Sequence, residues 1–277
     1  MYNHFLGISF ALLSAFFWAT NDIFNKKLLD EGYDENFILW IRFPLGGLFL
    51  FPLGIINWDF NKILFLTTFL WLPIEIVASI FFIKAIKYSP LSVAMPFFTT
   101  MPVFSAIGGW VILGEELNLK GWLGILLIFY GSLKLAQGDL RSFLKINRGV
   151  IYALVSSLLF GINVVIGKIA VVNSNPFFFS WYYCVVMSLA LLFFVKRFPH
   201  TEALKRYEFP LLGILFSLGM ITYTYAYLFT YASYVSAVER LSIILDVIYG
   251  RVIFGEKVRN ALKASLIMVL GALLLSL

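Results

Sequence analysis

The sequence predicts an all-α polytopic membrane protein: ten transmembrane helices arranged as two inverted five-helix repeats. Three observations predict it. Of 277 residues, 61% are hydrophobic and only 13% charged, and apolar runs of bilayer length recur along the whole chain. The polar connections are too short to hold a folded domain, the longest being Lys26 to Asn36, Asp139 to Arg148 and Lys196 to Glu208. Finally, the halves repeat. An offset of 142 pairs Gly7, Ala11, Leu12, Ser14, Asn21 and Lys26 with Gly149, Ala153, Leu154, Ser156, Asn163 and Lys168, and an offset of 141 pairs Gly114-Glu115 with Gly255-Glu256. Five is an odd number of crossings, so the second unit enters the membrane from the opposite side. Inverted repeats with a binding site at their interface are a common transporter architecture.

Spans are expected at 5–27, 36–56, 63–85, 90–113, 119–138, 149–172, 177–197, 208–230, 233–254 and 260–277, giving a first repeat at 1–138, a basic linker at 139–148 and a second repeat at 149–277. The apolar run from Phe5 lacks a short core followed by a small-residue cleavage pattern, so it reads as a retained helix rather than a signal peptide. The second span carries Arg42. The third holds Glu75 near its midpoint beside Pro73, which removes a helical donor. The fourth contains Pro102 and ends at Gly114-Glu115. Gly121, Gly124 and Gly131 in the fifth, and Gly271 in the tenth, suit close helix packing. The sixth repeats the first. The seventh carries the single cysteine, Cys184, so no disulfide framework exists. The eighth is rich in tyrosine.

The ninth span organises the functional argument, because it carries Glu239, Arg240 and Asp246 within VSAVERLSIILDVIYGRVIF. A charge near the middle of a membrane helix costs roughly 2.5 to 3.5 kcal/mol, so it faces protein or water and marks a candidate site. On a continuous helix Glu239 and Asp246, seven apart, share a face. Glu239 and Arg240, about 100° apart, are expected to address two different groups rather than each other. The competing reading is structural: Glu239 or Asp246 paired with Arg240 or Arg251, and Glu75 paired with Arg42. Candidate substrate contacts are Glu75, Glu239, Arg240, Asp246, Arg42, Trp18, Asn21, Tyr182, Tyr183, Tyr223 and Tyr227. The phenols need polar partners inside spans. Asn21 and Asp22 sit toward the far end of the first span, where an interfacial or packing role competes. Burial disfavours a charged carboxyl, which makes Glu75, Glu239 and Asp246 the candidates for proton coupling. Glu115 and Glu256 read as structural, accepting hydrogen bonds from the free N–H groups of the helix that follows.

These motifs resemble the drug/metabolite transporter superfamily, specifically its ten-helix EamA-like members. The resemblance rests on Trp18-Ala19-Thr20, Arg42-Phe43, Pro102 and Gly114-Glu115 followed by Gly121, Gly124 and Gly131 in the first half, and on Gly255-Glu256 and Gly271 in the second. It covers essentially the whole chain. Phe160-Gly161-Ile162 replaces the tryptophan step, and Ile243-Ile244 stands where a proline like Pro102 is expected.

Sixteen of the 21 basic residues fall in or beside the connections after spans 1, 3, 5, 7 and 9, whereas Lys62, Lys120 and Lys168 lie toward the other side. The positive-inside rule then places both termini outside the cytoplasm, although many members of the resembling family have cytoplasmic termini. The net charge of +6 suits anionic headgroups, and no nucleic-acid partner is indicated. No metal or other cofactor is expected: His4 and His200 lie outside the spans without ligand clusters around them. No His-Glu-x-x-His or Gly-x-Ser-x-Gly motif suggests an enzyme. The expected function is secondary transport of a small metabolite, an amino acid or related zwitterion, in a prokaryotic inner membrane, by a monomer or weak homodimer. Sugar phosphates or nucleotide sugars are the alternative substrates. An intramembrane enzyme or a structural membrane protein is the alternative class.

Overall fold

The computed structural model describes residues 3–135, 148–200, 205–255 and 261–276. Glu256 and residues 139–147 of the expected linker lie outside the described residues. Among those described, the chain forms ten helical segments: α1 His4–Asp30, α2 Glu35–Ile56, α3 Lys62–Tyr88, α4 over 91–113, α5 Leu119–Leu135, α6 Arg148–Val172, α7 Pro176–Leu192, α8 Glu208–Phe229, α9 over 232–254 and α10 Ala261–Ser276. By length and composition α1, α2, α3, α6 and α8 can cross a membrane, while Phe97–Leu113, Leu119–Gly131, Pro176–Leu192 and Leu266–Leu275 are shorter apolar helices. The seventh segment stops at Leu192, short of the expected 197.

Side-chain polarity is arranged for lipid. Leu48, Phe69, Val111, Leu189 and Val252 are exposed on outer faces, whereas Asn21, Asn25, Arg42, Asn163, Lys168 and Glu239 are buried. Asp34 and Asn175 start α2 and α7 in the same way, each accepting backbone N–H groups from the first turn.

Packing follows a two-fold plan. α1 lies along α8 and α3 along α6, α2 packs on α7 and α5 on α10, and the start of α9 meets the middle of α4. Exchanging α1–α5 for α6–α10 reproduces every one of these pairs. A methyl group added at Gly7 would fall 2.8 Å from Thr230 Cβ, and one at Gly149 would fall 2.8 Å from Ser89 Cβ. Thus α1 begins beside the end of α8, and α6 begins beside the end of α3. Because α3 ends on the face opposite to that where α1 begins, the two repeats run in opposite senses. Gly124 and Gly271 approach so closely that a Cβ on either would stand 2.7–2.8 Å from the other's carbonyl oxygen, the small-residue contact expected for these glycines.

Both fourth helices are irregular at matching depths. In α4 the stretch Met95–Thr100 tightens to a 3₁₀ helix before Met101–Gly108, and Gly109–Leu113 widens to a π turn. In α9 the helix Ala232–Glu239 stops and Ser242–Phe254 resumes. The expected continuous helix over 233–254 is therefore corrected. At the break Arg240, Leu241, Ile243 and Ile244 donate to carbonyls three residues back, which tightens the chain locally relative to a uniform 3.6-residue period. No proline is needed there. Discontinuous helices of this kind, tolerated where they line a cavity, place backbone and side-chain polar groups in the membrane interior.

Candidate functional site

A central cavity of about 160 Å³ is lined from α1–α4 and α6–α9. Neither α5 nor α10 contributes to it among the described residues. Helical spacing sets its walls. Trp18, Asn21 and Asp22 come from α1; Trp71, Glu75 and Phe82 from α3; and Phe160, Asn163, Val164, Gly167 and Val171 from α6 at offsets of three, four, seven and eleven. The breaks in α4 and α9 deliver Met95, Phe98 and Met101 from one half and Glu239, Arg240, Ser242 and Ile243 from the other.

Glu75, at the middle of α3, receives hydrogen bonds from the Tyr183 hydroxyl and from Asn163 Nδ2 at 2.6 Å. The competing reading, an ion pair with Arg42, is not what forms: among the described residues Glu75 has no ion-pair partner. Tyr183 stacks on Trp71 with centroids 5.3 Å apart and 22° between planes, and also on Phe216. Arg42 is buried with its guanidinium over Phe43 and Phe216, 4.9 and 5.0 Å from their centroids. Asn21, the repeat partner of Asn163, donates to the Leu212 carbonyl at 2.8 Å, and Asn25 bridges Asn21 and Asp22. Asp22 is thus buried in the cavity wall rather than interfacial. Trp18 packs on Tyr223, whose hydroxyl accepts from that of Tyr227.

Arg240 and Glu239 do bind each other, Nη2 to Oε1 at 2.5 Å. The expectation that adjacent positions point apart is corrected, because the helix ends at Glu239 and the 100° increment does not govern the residue that follows. Two further candidates lie outside the lining. Tyr182 is turned toward Thr68, 3.1 Å away, and stacks on Phe178. Asp246 is fully buried past the break and is not among the cavity-lining residues. Sequence reasoning missed Trp71, yet its position one turn before Glu75 was a usable signal. Several polar atoms at the cavity have no hydrogen-bond partner among the described residues: Trp18 Nε1, Trp71 Nε1, Arg42 Nε, Asn163 Oδ1, Glu239 Oε2 and Arg240 Nε.

A second polar cluster ties the halves together. Lys168 Nζ donates to Glu115 Oε1 at 2.6 Å and to the Thr230 carbonyl at 2.8 Å, and the Ala232 N–H bonds both Glu115 oxygens at 3.1 Å. Glu115 therefore caps α9 of the other half, not α5; the latter is capped by Asn118 at Gly121 N. Tyr231, at the cap position of α9, makes no side-chain cap bond, so the carboxylate supplies what the local sequence lacks. On the opposite face, Lys27 and Arg206 both pair with Glu208, and Arg206 also pairs with Glu31. The Glu208 contact raises the proton affinity of Arg206 above that of an ordinary arginine.

A multi-pass helical protein whose inverted repeats enclose a polar cavity has the architecture of a transporter. The chain belongs to the EamA-like transporter family, whose model matches residues 5–136 and 147–277, one repeat each. Two similar chains are uncharacterized transporters: one from Archaeoglobus fulgidus, 22% identical over 98% of both chains, and one from Clostridium kluyveri, 25% identical over 97% of this chain and 92% of the other. A probable 4-amino-4-deoxy-L-arabinose-phosphoundecaprenol flippase subunit ArnE from Hamiltonella defensa is 31% identical over 26% of this chain and 68% of its own. A protein crystal structure shares the fold at TM-score 0.70 and 16% identity, covering 98% of this chain and 94% of that one.

Proposed function

We propose that this ten-span protein is a secondary transporter of a small zwitterionic metabolite, an amino acid or close relative, moved by alternating exposure of the central cavity. The observation that carries the reading is the mixed lining of that cavity: both halves contribute, and Asp22, Glu75, Arg42, Glu239 and Arg240 are set among aromatic rings. Such a lining suits a ligand with an apolar body and both charges. Candidate contacts are Glu75, Arg42, Glu239, Arg240, Trp18, Asn21, Tyr183, Tyr223 and Tyr227. Purified protein in liposomes should exchange a labelled amino acid for an unlabelled one inside. Failure of every proteinogenic amino acid to exchange would reject this substrate class.

Protons are the proposed coupling ion, with Glu75 and Glu239 as carriers, because both carboxyls line the cavity inside the helix bundle, Glu239 buried and Glu75 half-buried. An imposed pH gradient should drive accumulation in liposomes, and Glu75→Gln should abolish the dependence on the gradient while equilibrium exchange persists. Accumulation indifferent to the gradient rejects proton coupling.

Both termini are proposed to lie outside the cytoplasm, on the strength of the basic residues gathered at the opposite face. Cysteines placed at Asn3 and Asn118 should react with an impermeant maleimide in intact cells, and one at Ser142 should not. The opposite labelling pattern overturns the orientation.

A further inference from the structure

Two arginines reach the cavity, and their surroundings differ. Arg240 is already neutralised by Glu239 at 2.5 Å. Arg42 is 7% exposed, and among the described residues it makes neither an ion pair nor a hydrogen bond; its Nε is unpartnered. The carboxylates that face it through space are Asp22 and Glu75. Each is engaged elsewhere, Asp22 by Asn25 at 3.2 Å and Glu75 by Asn163 and Tyr183. Aromatic faces hold the guanidinium plane in place, which suits this weakly hydrated cation, but they leave its N–H fork without acceptors.

We infer that Arg42 is the carboxylate-binding end of the cavity, taking the acid group of a monocarboxylate in a two-pronged contact. A planar guanidinium matches a carboxylate in geometry and charge, and a buried cation without a close counterion is costly until one arrives. Glu239 Oε2, an acceptor without a partner on the same cavity lining, can take an ammonium group. One unpaired cation faced by two carboxylates suits a single acid function and disfavours a dianionic phosphate. The inference rests on the cavity being the substrate site, and it specifies which end of the ligand goes where.

Three probes with one phenylethyl body separate the ends: L-phenylalanine carries both charges, 3-phenylpropanoate only the acid and phenethylamine only the amine. Calorimetry on the full-length protein in detergent should show binding of L-phenylalanine and 3-phenylpropanoate, with phenethylamine at least tenfold weaker than L-phenylalanine. Arg42→Gln should weaken both acids at least tenfold, leave phenethylamine unchanged and melt within a few degrees of the parent. Arg42→Lys, which keeps the charge and loses the fork, should fall between, and it serves as the test should the glutamine variant not fold. Phenethylamine binding as tightly as L-phenylalanine, acid binding untouched in either variant, or no acid binding by the parent overturns the inference. Acid binding through Arg42 without amino-acid exchange in liposomes would sink the transport reading and leave this one standing. Exchange retained at parental affinity in Arg42→Gln would do the reverse.

Discussion

Replacing Glu115 with alanine should lower stability by about 3 to 5 kcal/mol, the range for removing one member of a buried ion pair. The side chains of Glu115 and Lys168 are 3% and 4% exposed, so solvent cannot take over the missing partner. The loss has three parts. Lys168 loses its carboxylate partner while keeping the Thr230 carbonyl; the first N–H of α9 loses its acceptor; and the α4–α5 connection is released from the opposite half. Thermal unfolding in detergent should therefore show a large fall in midpoint for Glu115→Ala and for Lys168→Met, with the double variant far less affected than the sum of the two. An unchanged midpoint in Glu115→Ala would show that the pair does not hold the halves together.

A comparable cost is expected when Glu239 or Arg240 is neutralised singly. Their side chains are 5% and 11% exposed, and each is the other's only ion-pair partner among the described residues. Glu239→Gln strands the guanidinium and Arg240→Gln strands the carboxylate, so each should cost about 3 kcal/mol by the same reasoning. Glu239→Gln combined with Arg240→Gln leaves two neutral groups able to bond each other, and should recover 0.5 to 3 kcal/mol, roughly the coupling seen between contacting residues. Strictly additive losses in a double-mutant cycle would mean that the short contact contributes nothing to stability.

Much of this molecule can be read from its sequence, and the limits have physical causes. Apolar runs and short connections identify a membrane bundle, and the repeated positions from Gly7 to Lys26 identify the two-fold plan. Glu75, Arg42, Tyr183, Tyr223 and Asn21 reach the cavity as expected because each sits within a regular helix, where spacing predicts facing. Asp246 does not line it, and the interruption at Arg240–Leu241 that precedes it has neither proline nor glycine to announce it. Glu115 was legible as a capping residue, but nothing in its neighbourhood says that the helix it caps is more than a hundred residues away. Such partners depend on how the halves dock, which local pattern does not encode. Trp71 was hidden by its type, since tryptophans in spans also serve as interfacial anchors.

The two-fold packing has a consequence for what this protein can discriminate. The offset of 142 in the first helix of each repeat gives Val164 for Asp22; the offset of 141 in the later helices gives Tyr183 for Arg42 and Phe216 for Glu75, and, taken backwards, Phe98 for Glu239 and Thr99 for Arg240. None of the charges has a charged counterpart. A pair of identical five-helix chains would present every such group twice and would have no means of telling one end of a guest from the other. Joining the copies in a single chain lets each lose what the other keeps, so a nearly symmetric shell surrounds a chamber with a direction. Selection can then reshape the chemistry at one pole without disturbing its image, while the paired backbones go on fitting each other as before.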